Sequence, residues 1–345
     1  MITIKEIAKQ LNMSTTTVSN VIHGKTGEVS AETIERVEKF LDEVDYVPNI
    51  NARNLAQNQS KIIGVVLKTS ESRYSNILTD PFVAEMLGGI EKVIRESGYF
   101  MMLYISEDIN EILKRVTSWN VDGLLLFWML DDDARMVYSK FRGPVCFIDT
   151  FVDWDAIDAI GSKYVNVGLD DEKATYEAIS YLISCGHKKI GFLSDRNTGV
   201  DSERFKGYRR ALKEAGLKYE DEDFFEIDTT MDGIDDSIFG LTDKAKKFDA
   251  VFCVSDNFAA MLINACFRSG IDVPGDVSVM GFDDNMNGRL FRPSLTTVHQ
   301  DIAHKGEVAA QKLIEMVHGE EPAEHHIRLE TQIVKRESVA DMNKK

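Results

Sequence analysis

Apolar residues in the first 45 positions recur at helical spacing, whereas beyond residue 60 they gather in short runs separated by amphipathic stretches. Ile4, Ile7, Ala8 and Leu11 share one face of a helix that Thr3 opens, with Glu6 three residues on completing a capping box. Ser14 opens a second helix, in which Val18, Val21 and Ile22 stand at i, i+3 and i+4. A third begins at Ser30, with Val29 and Ile34 as a staple and Ile34, Val37, Leu41 and Val44 as its stripe, and Pro48 ends it. Together the three stripes can close a small all-α core.

A polar boundary, Gln57 to Ser60, precedes the change of pattern. The runs then predict strands at Ile62 to Leu67, Phe100 to Ile105, Gly123 to Phe127 and Val145 to Ile148, with helices around Val83 to Glu96, Ile109 to Trp119 and Asp132 to Lys140. The alternation repeats: strands at Ile190 to Leu193, Phe225 to Ile227, Ala250 to Val254 and Val277 to Phe282, with helices near Ala174 to Ser184, Ser202 to Ala215 and Phe258 to Arg268. Two parallel-sheet lobes follow, because right-handed crossovers bury both faces of each sheet.

The second helix leaves Thr15, Thr16, Ser19 and Asn20 off its apolar stripe. Ser and Thr are middling helix formers, so three successive threonines at a helix start are poorly explained by stability. Short hydrogen-bonding side chains on a rigidly presented helix suit the major groove of DNA. Charge argues weakly, and partly against this reading. The first sixty residues hold six Lys or Arg and eight acids, the acids clustered on the third helix, so non-specific affinity for DNA should be modest. The chain as a whole has a net charge of −17, which disfavours nucleic acid elsewhere.

At 345 residues and 43% hydrophobic, the chain has ample core for two or three domains. No apolar run reaches the roughly 18 residues of a membrane span, and the N-terminus lacks a signal-peptide pattern, so the chain is expected in the cytoplasm and away from membranes. Cys146, Cys185, Cys253 and Cys266 are scattered without metal spacing. Ligands of such sheets bind beyond the strands' carboxyl ends, which here carry Asp149, Ser255-Asp256 and Asp283-Asp284. No glycine-rich dinucleotide fingerprint, nucleophile elbow or zinc spacing accompanies them, so neither an enzyme nor a cofactor or metal site is expected, and His325-His326 reads as a solvated strand pair.

The segment Ile2 to Ser60 resembles the headpiece of the lactose-repressor (LacI/GalR) family of bacterial transcription regulators. The likeness rests on Ile4-Lys5-Glu6-Ile7-Ala8, Thr17-Val18-Ser19, Val29-Ser30, Tyr46-Val47-Pro48-Asn49, Ala52-Arg53 and Leu55-Ala56, and the Ser14 to Ser19 run is most similar to the purine-repressor branch. Asn20 departs from the residues usual there, and the loop His23 to Glu28 is slightly longer. The remainder is similar to the family's periplasmic-binding-protein-like core through Gly186-His187-Lys188-Lys189-Ile190, Arg204-Phe205-Lys206-Gly207-Tyr208, Val273 to Val279, Gly281-Phe282-Asp283-Asp284 and Leu295 to Val298. The implied architecture is an N-terminal helix-turn-helix domain (1–48), a hinge helix and linker (49–60) and an α/β core of two parallel-sheet lobes (61–345). The lobes would be 61–163 with 294–322, and 164–293 with 323–340.

By that resemblance Thr15, Thr16 and Asn20 would touch base edges, while Ser14, Thr17 and Ser19 would mostly hold phosphates. In the hinge, Asn51 and Arg53 would serve the DNA, and Leu55 would be an apolar wedge in the minor groove. The effector-binding arginine falls on Arg204 and its acidic partner on Asp283. The structural alternatives are an ion pair at the hinge for Arg204 and a helix N-cap for Asp283. Asp149 and Ser255 would add lobe-specific contacts. Where some members carry an asparagine after the third strand this chain has Phe127-Trp128, so Phe127, with Phe82, offers either an aromatic wall or core packing. The expected protein is a homodimeric regulator, in the main a repressor, that binds a pseudopalindromic double-stranded operator and a small-molecule effector of carbohydrate type. A purine, nucleoside or partner protein acting as corepressor is the alternative, and a sugar-binding protein for transport a third.

Overall fold

The protein, described here by a computed structural model covering residues 2–22, 24–27, 29–46, 59–69, 76–158, 163–228 and 234–344, divides into two units, Met1–Ser60 and Lys61–Lys345. In the first unit, helices α1 (Ile4–Leu11), α2 (Thr15–Ile22) and α3 (Ala31–Glu43) bury Ile7, Ala8, Leu11, Val18, Val21 and Val37 against one another. The capping box forms: Thr3 N donates to Glu6 Oε2 at 2.8 Å, and Glu6 N donates to Thr3 Oγ1 at 3.3 Å. Asn12, at φ 53°, closes α1 in the left-handed region that Asn tolerates. Arg36 Nη2 donates to Leu11 O at 2.9 Å and ties α3 to the end of α1.

The second unit holds two six-stranded sheets. One contains β1 (Ile62–Lys68), β2 (Phe100–Ser106), β3 (Gly123–Phe127), β4 (Val145–Ile148), β5 (Tyr164–Leu169) and β11 (His326–Leu329), in the order β11-β5-β4-β3-β1-β2 and wholly parallel. The other contains β6 (Ile190–Ser194), β7 (Phe224–Glu226), β8 (Ala250–Cys253), β9 (Ser278–Asp283), β10 (Thr296–His299) and β12 (Gln332–Val334), in the order β12-β10-β9-β8-β6-β7. Among the described residues, only β12 runs antiparallel to its neighbour, β10.

Strand parity sorts the first lobe's core into two layers. Ile63, Val65, Leu67, Leu125, Phe127, Cys146 and Ile148 meet α4 (Pro81–Glu96) and α13 (Ile302–Val317). Val66, Leu124, Leu126, Val145 and Phe147 meet α5 (Ile109–Ser118) and α6 (Asp131–Lys140). The short helix α7 (Trp154–Asp158) follows β4. Helices α8 (Asp171–Ser184), α9 (Val200–Glu214), α10 (Ile234–Ala245), α11 (Asp256–Arg268) and α12 (Met286–Leu290) belong to the second lobe. Gly89 is required where α4 crosses α13, since a Cβ there would lie 2.1 Å from Ala303 O. No helix among the described residues is long and apolar enough to cross a membrane.

The lobe boundaries expected at 163, 293 and 322 each fall one strand early. β5 continues the first sheet beside β4, with Val145 opposite Tyr164. β10 stays in the second sheet beside β9, and β11 returns to the first beside β5. The chain therefore changes lobe after Leu169, after His299 and after Leu329. β5, β10, β12, α7, α10, α12 and α13 are not among the elements predicted from the sequence, and of β11 only the pair His325-His326 is.

Candidate functional site

In the helical unit, α2 is capped by Ser14, whose Oγ accepts from Thr17 N at 3.0 Å and lies 2.8 Å from Thr17 Oγ1. Ser14 and Thr17 thus begin the helix, and Thr15 and Thr16 stand exposed beside them. Ser19 and Asn20 are half-buried one turn on, and Val18 and Val21 fill the core behind. A row of small polar side chains at a helix N-terminus, whose backbone N–H groups favour anions, is chemically suited to a phosphate backbone and base edges together. Asn51, Arg53 and Leu55 lie outside the described residues.

In the second unit, a cleft of about 320 Å³ is lined from both sheets at the carboxyl ends of their strands. Lys68 ends β1, Trp128 follows β3, Asp149 follows β4, Asp195 and Arg196 follow β6, Val254 and Ser255 follow β8, and Asp283 ends β9. Trp128, Asp149 and Asp283 have φ of 53°, 49° and 124°, a backbone strain of about 1–3 kcal/mol each that clusters at ligand sites. Of the six predicted residues, Phe82, Asp149, Arg204, Ser255 and Asp283 line this cleft.

Phe127 does not. As the last residue of β3 it points into the layer beneath α4 and α13, fully buried, and the aromatic wall is Trp128, one residue later, where the chain leaves the strand. Trp128 stacks with Phe82 at 6.0 Å between centroids and 28° between planes.

Arg204 is held on three sides. Its Nε donates to Asp171 Oδ1 at 2.8 Å, its Nη1 donates to Val254 O, and the guanidinium lies 3.5 Å above the Phe282 ring. The ion-pair alternative therefore describes its anchor, while the Nη2 end of the fork has no partner among the described residues. Asp283 is not a helix cap; Asn285 caps α12. Asp283 Oδ1 accepts from Gln300 Nε2 at 2.7 Å, and burial, reinforced by the charges of Asp256 and Asp80, pushes its carboxyl well above the usual range against the pull of Arg204. Ser255 caps α11 by accepting from Phe258 N at 3.2 Å.

Sequence reasoning did not anticipate Lys305 or Asp80, and it gave Asp256 no partners. Lys305, 1% exposed on α13, places Nζ 2.8 and 2.9 Å from the two Asp149 oxygens, and burial still raises the Asp149 carboxyl. Asp80 caps α4 by accepting from Phe82 N at 2.9 Å. Asp256, at the carboxyl end of β8, accepts from Thr297 Oγ1 at 2.6 Å and from Asn285 N at 3.0 Å, and burial pushes its carboxyl up to about 7.

Among the described residues, two of the three cleft-lining cations are bound to acids that line the same cleft: Lys68 to Asp133 at 2.6 Å and Arg196 to Asp201 at 3.1 Å. With Asp80, Glu107, Asp149, Asp195 and Asp283 also present, the described lining of the cleft is acidic.

The lacI family of bacterial regulatory proteins matches residues 3–49, and the periplasmic binding protein-like domain matches residues 179–339. The HTH-type transcriptional repressor PurR of Vibrio campbellii (strain ATCC BAA-1116) is 32% identical over 352 residues, which is 99% of this chain and 100% of that protein. A transcriptional regulator CelR–cellobiose complex superposes with a TM-score of 0.70 at 26% identity, covering 98% of this chain and 100% of that one. The lac repressor dimer bound to operator and the anti-inducer ONPF shares the fold, with a TM-score of 0.82 at 23% identity over 98% of this chain and 99% of that one.

Proposed function

The chain belongs to the lacI family of bacterial regulatory proteins, and we propose that this DNA-binding repressor acts as a dimer controlled by an unphosphorylated sugar bound in the cleft between its two lobes. The observation that carries the choice of effector is the pairing of a Phe82–Trp128 wall with Arg204 and Asp283. An aromatic face covers the apolar face of a sugar ring, Asp283 accepts from hydroxyls, and the open end of Arg204 donates to them. The surplus of carboxylates, with Lys68 and Arg196 already paired, repels a phosphate. A nucleoside is the second reading, favoured by the same wall, since a base stacks on indole equally well. A thermal-shift screen of the full-length protein with sugars, sugar phosphates and nucleosides separates them; an effector at 100 times its dissociation constant stabilises by about 2.7 kcal/mol.

On the DNA side, Thr15, Thr16 and Asn20 read bases and Ser14, Thr17 and Ser19 position the phosphates. Residues 49–60 form the hinge, in which Asn51 and Arg53 contact DNA and Leu55 enters the minor groove to kink the operator centre. Dimerisation is supported by apolar surface that the single chain leaves uncovered: Phe267, Met286 and Leu290, 82%, 68% and 68% exposed on the neighbouring helices α11 and α12, and Phe100 on the edge strand β2. Two headpieces then read a pseudopalindrome, and effector and operator affinities are reciprocally linked. The protein works in the cytoplasm, where both ligands are found.

A further inference from the structure

Helices α4 and α13 of the first lobe lie side by side, 16 residues and so about 24 Å each. They run in the same direction, because their contacts keep one order along both: Gly89 with Ala303, Ile90 with Gly306, Lys92 with Glu307 at 2.7 Å, and beyond their ends Tyr99 with His318. Both start at the effector cleft. Asp80 caps α4 and Phe82 stands in its first turn, each in the lining. α13 follows Gln300, which binds Asp283 of the other lobe, and its Lys305 binds Asp149 and lies 5.6 Å from the centroid of the Phe82 ring. At the crossing a Cβ on Gly306 would lie 2.5 Å from Met86 O, so backbone meets backbone with no side chain keyed between them. Such a contact lets one stiff helix shift along another.

The far ends meet where the chain enters the core. Lys61, the first residue of the second unit, stands immediately before β1. Its φ is 59°, in the left-handed region that a Cβ disfavours and that only surrounding contacts can impose. Its N donates to Asp122 Oδ2 at 3.0 Å, its O accepts from Phe100 N at 2.8 Å, and its Nζ donates to the Tyr99 hydroxyl at 3.2 Å and lies 4.3 Å from the centroid of that ring. Tyr99 is 4% exposed. Its oxygen accepts from Lys61, so its own proton is left for His318 Nε2, 3.4 Å away at the C-cap of α13. One hydroxyl therefore ties the entry point of the chain to the end of a rod that begins at the cleft.

We propose that the Tyr99–His318 junction carries the effector signal to the linker: a shift of α13 against α4 at the cleft moves His318 relative to Tyr99, and Lys61 is thereby held in, or released from, its left-handed conformation. Release redirects the chain that leads back to residues 49–60. Lys61 is a two-state element, because an L residue that loses such contacts returns to negative φ. Neither Tyr99 nor His318 lines the cleft, so both act as positioning residues. The inference rests on the reading of the cleft as the effector site, and not on which effector fills it.

Operator affinity of the full-length protein, measured by fluorescence anisotropy on an operator selected from randomised pseudopalindromes, tests the route in a mutant cycle at one salt concentration. Its members are the wild type, Tyr99→Phe, the cleft-end exchange Lys305→Met with Asp149→Leu, and the combination of all three changes. The exchange should alter the dissociation constant by about threefold or more in the wild type. In Tyr99→Phe, which keeps the ring and loses only the hydroxyl, it should alter nothing, a clear departure from additivity. His318→Ala should behave as Tyr99→Phe does, whereas His318→Gln, which keeps an acceptor for the hydroxyl, should behave as the wild type. Equal effects of the exchange in both backgrounds, with a lower melting temperature for Tyr99→Phe, would mark a merely structural hydroxyl and overturn the route. No effect of the exchange on the wild type would overturn it as well. Because no sugar enters the cycle, a sugar screen that fails would overturn the choice of effector and leave this test standing.

Discussion

Lys305 Nζ sits within 2.9 Å of both oxygens of Asp149, a lining residue of the cleft, joining two buried side chains that are 156 residues apart. Removing one partner of such a pair strands the other's charge away from water. Lys305→Met should therefore cost about 3–5 kcal/mol, read as a lower denaturant midpoint. Adding Asp149→Leu should recover much of the loss, because the uncompensated charge goes with it. A Lys305→Met protein as stable as the wild type would contradict the role given to this pair.

The same reasoning changes how Arg204 should be probed. Arg204→Ala strands Asp171, so it is expected to destabilise the second lobe by a similar amount as well as abolish the effector response. Asp283→Asn is the cleaner variant, since an amide retains an oxygen to accept from Gln300 Nε2. Circular-dichroism melts of the two variants should differ accordingly, and equal melting would contradict the anchor.

Asp256 predicts a pH dependence. Its carboxyl is raised from 3.8 to about 7 by burial, so the folded state holds a proton that the unfolded chain has released. That contribution is full below about pH 4 and is lost as pH rises through about 7. Asp256→Asn keeps an oxygen to accept from Asn285 N and an amide to donate to Thr297 Oγ1, and cannot ionise. Its melting temperature should fall less than that of the wild type between about pH 5 and pH 8. Parallel curves for the two proteins would remove the assignment.

Two headpiece residues should fail differently. Ser14 caps α2, so Ser14→Ala should lower headpiece stability by about 1 kcal/mol and weaken every operator alike. Asn20→Ala should instead cost about 1–3 kcal/mol on the preferred half-site and relax the preference at one position. Binding selection on randomised half-sites distinguishes them. An unchanged base profile for Asn20→Ala would mean that another face of α2 meets the bases.

The strand ends were legible in the sequence because a parallel sheet gathers ligand groups at its carboxyl edge, and Asp149, Ser255 and Asp283 terminate unmistakable apolar runs. Phe127 was misplaced by one residue: strand parity turns Phe127 inward, and the positive φ of Trp128 carries the next ring into the cleft. α13 escaped notice because its buried face includes Lys305 and Gly306 among Ala309, Ala310 and Leu313, a polar and a small residue where an apolar stripe is sought. β5 is likewise broken by Asn166 and Gly168, and with it went the first lobe boundary. The partners of Asp149 and Arg204 were invisible for a different reason. Nothing local in the chain records a contact made across 156 or 33 residues.

On the proposed function, a sugar in the cleft controls operator affinity through Asp283. The direct measurement is operator binding by fluorescence anisotropy, with and without the sugar that gives the largest thermal shift, for the wild type and Asp283→Asn at one fixed salt concentration. The sugar should change the wild-type dissociation constant by about tenfold or more and leave that of Asp283→Asn unmoved, and the two proteins should bind operator equally without it. A wild-type affinity that no sugar alters, or a sugar response that survives intact in Asp283→Asn, would contradict it.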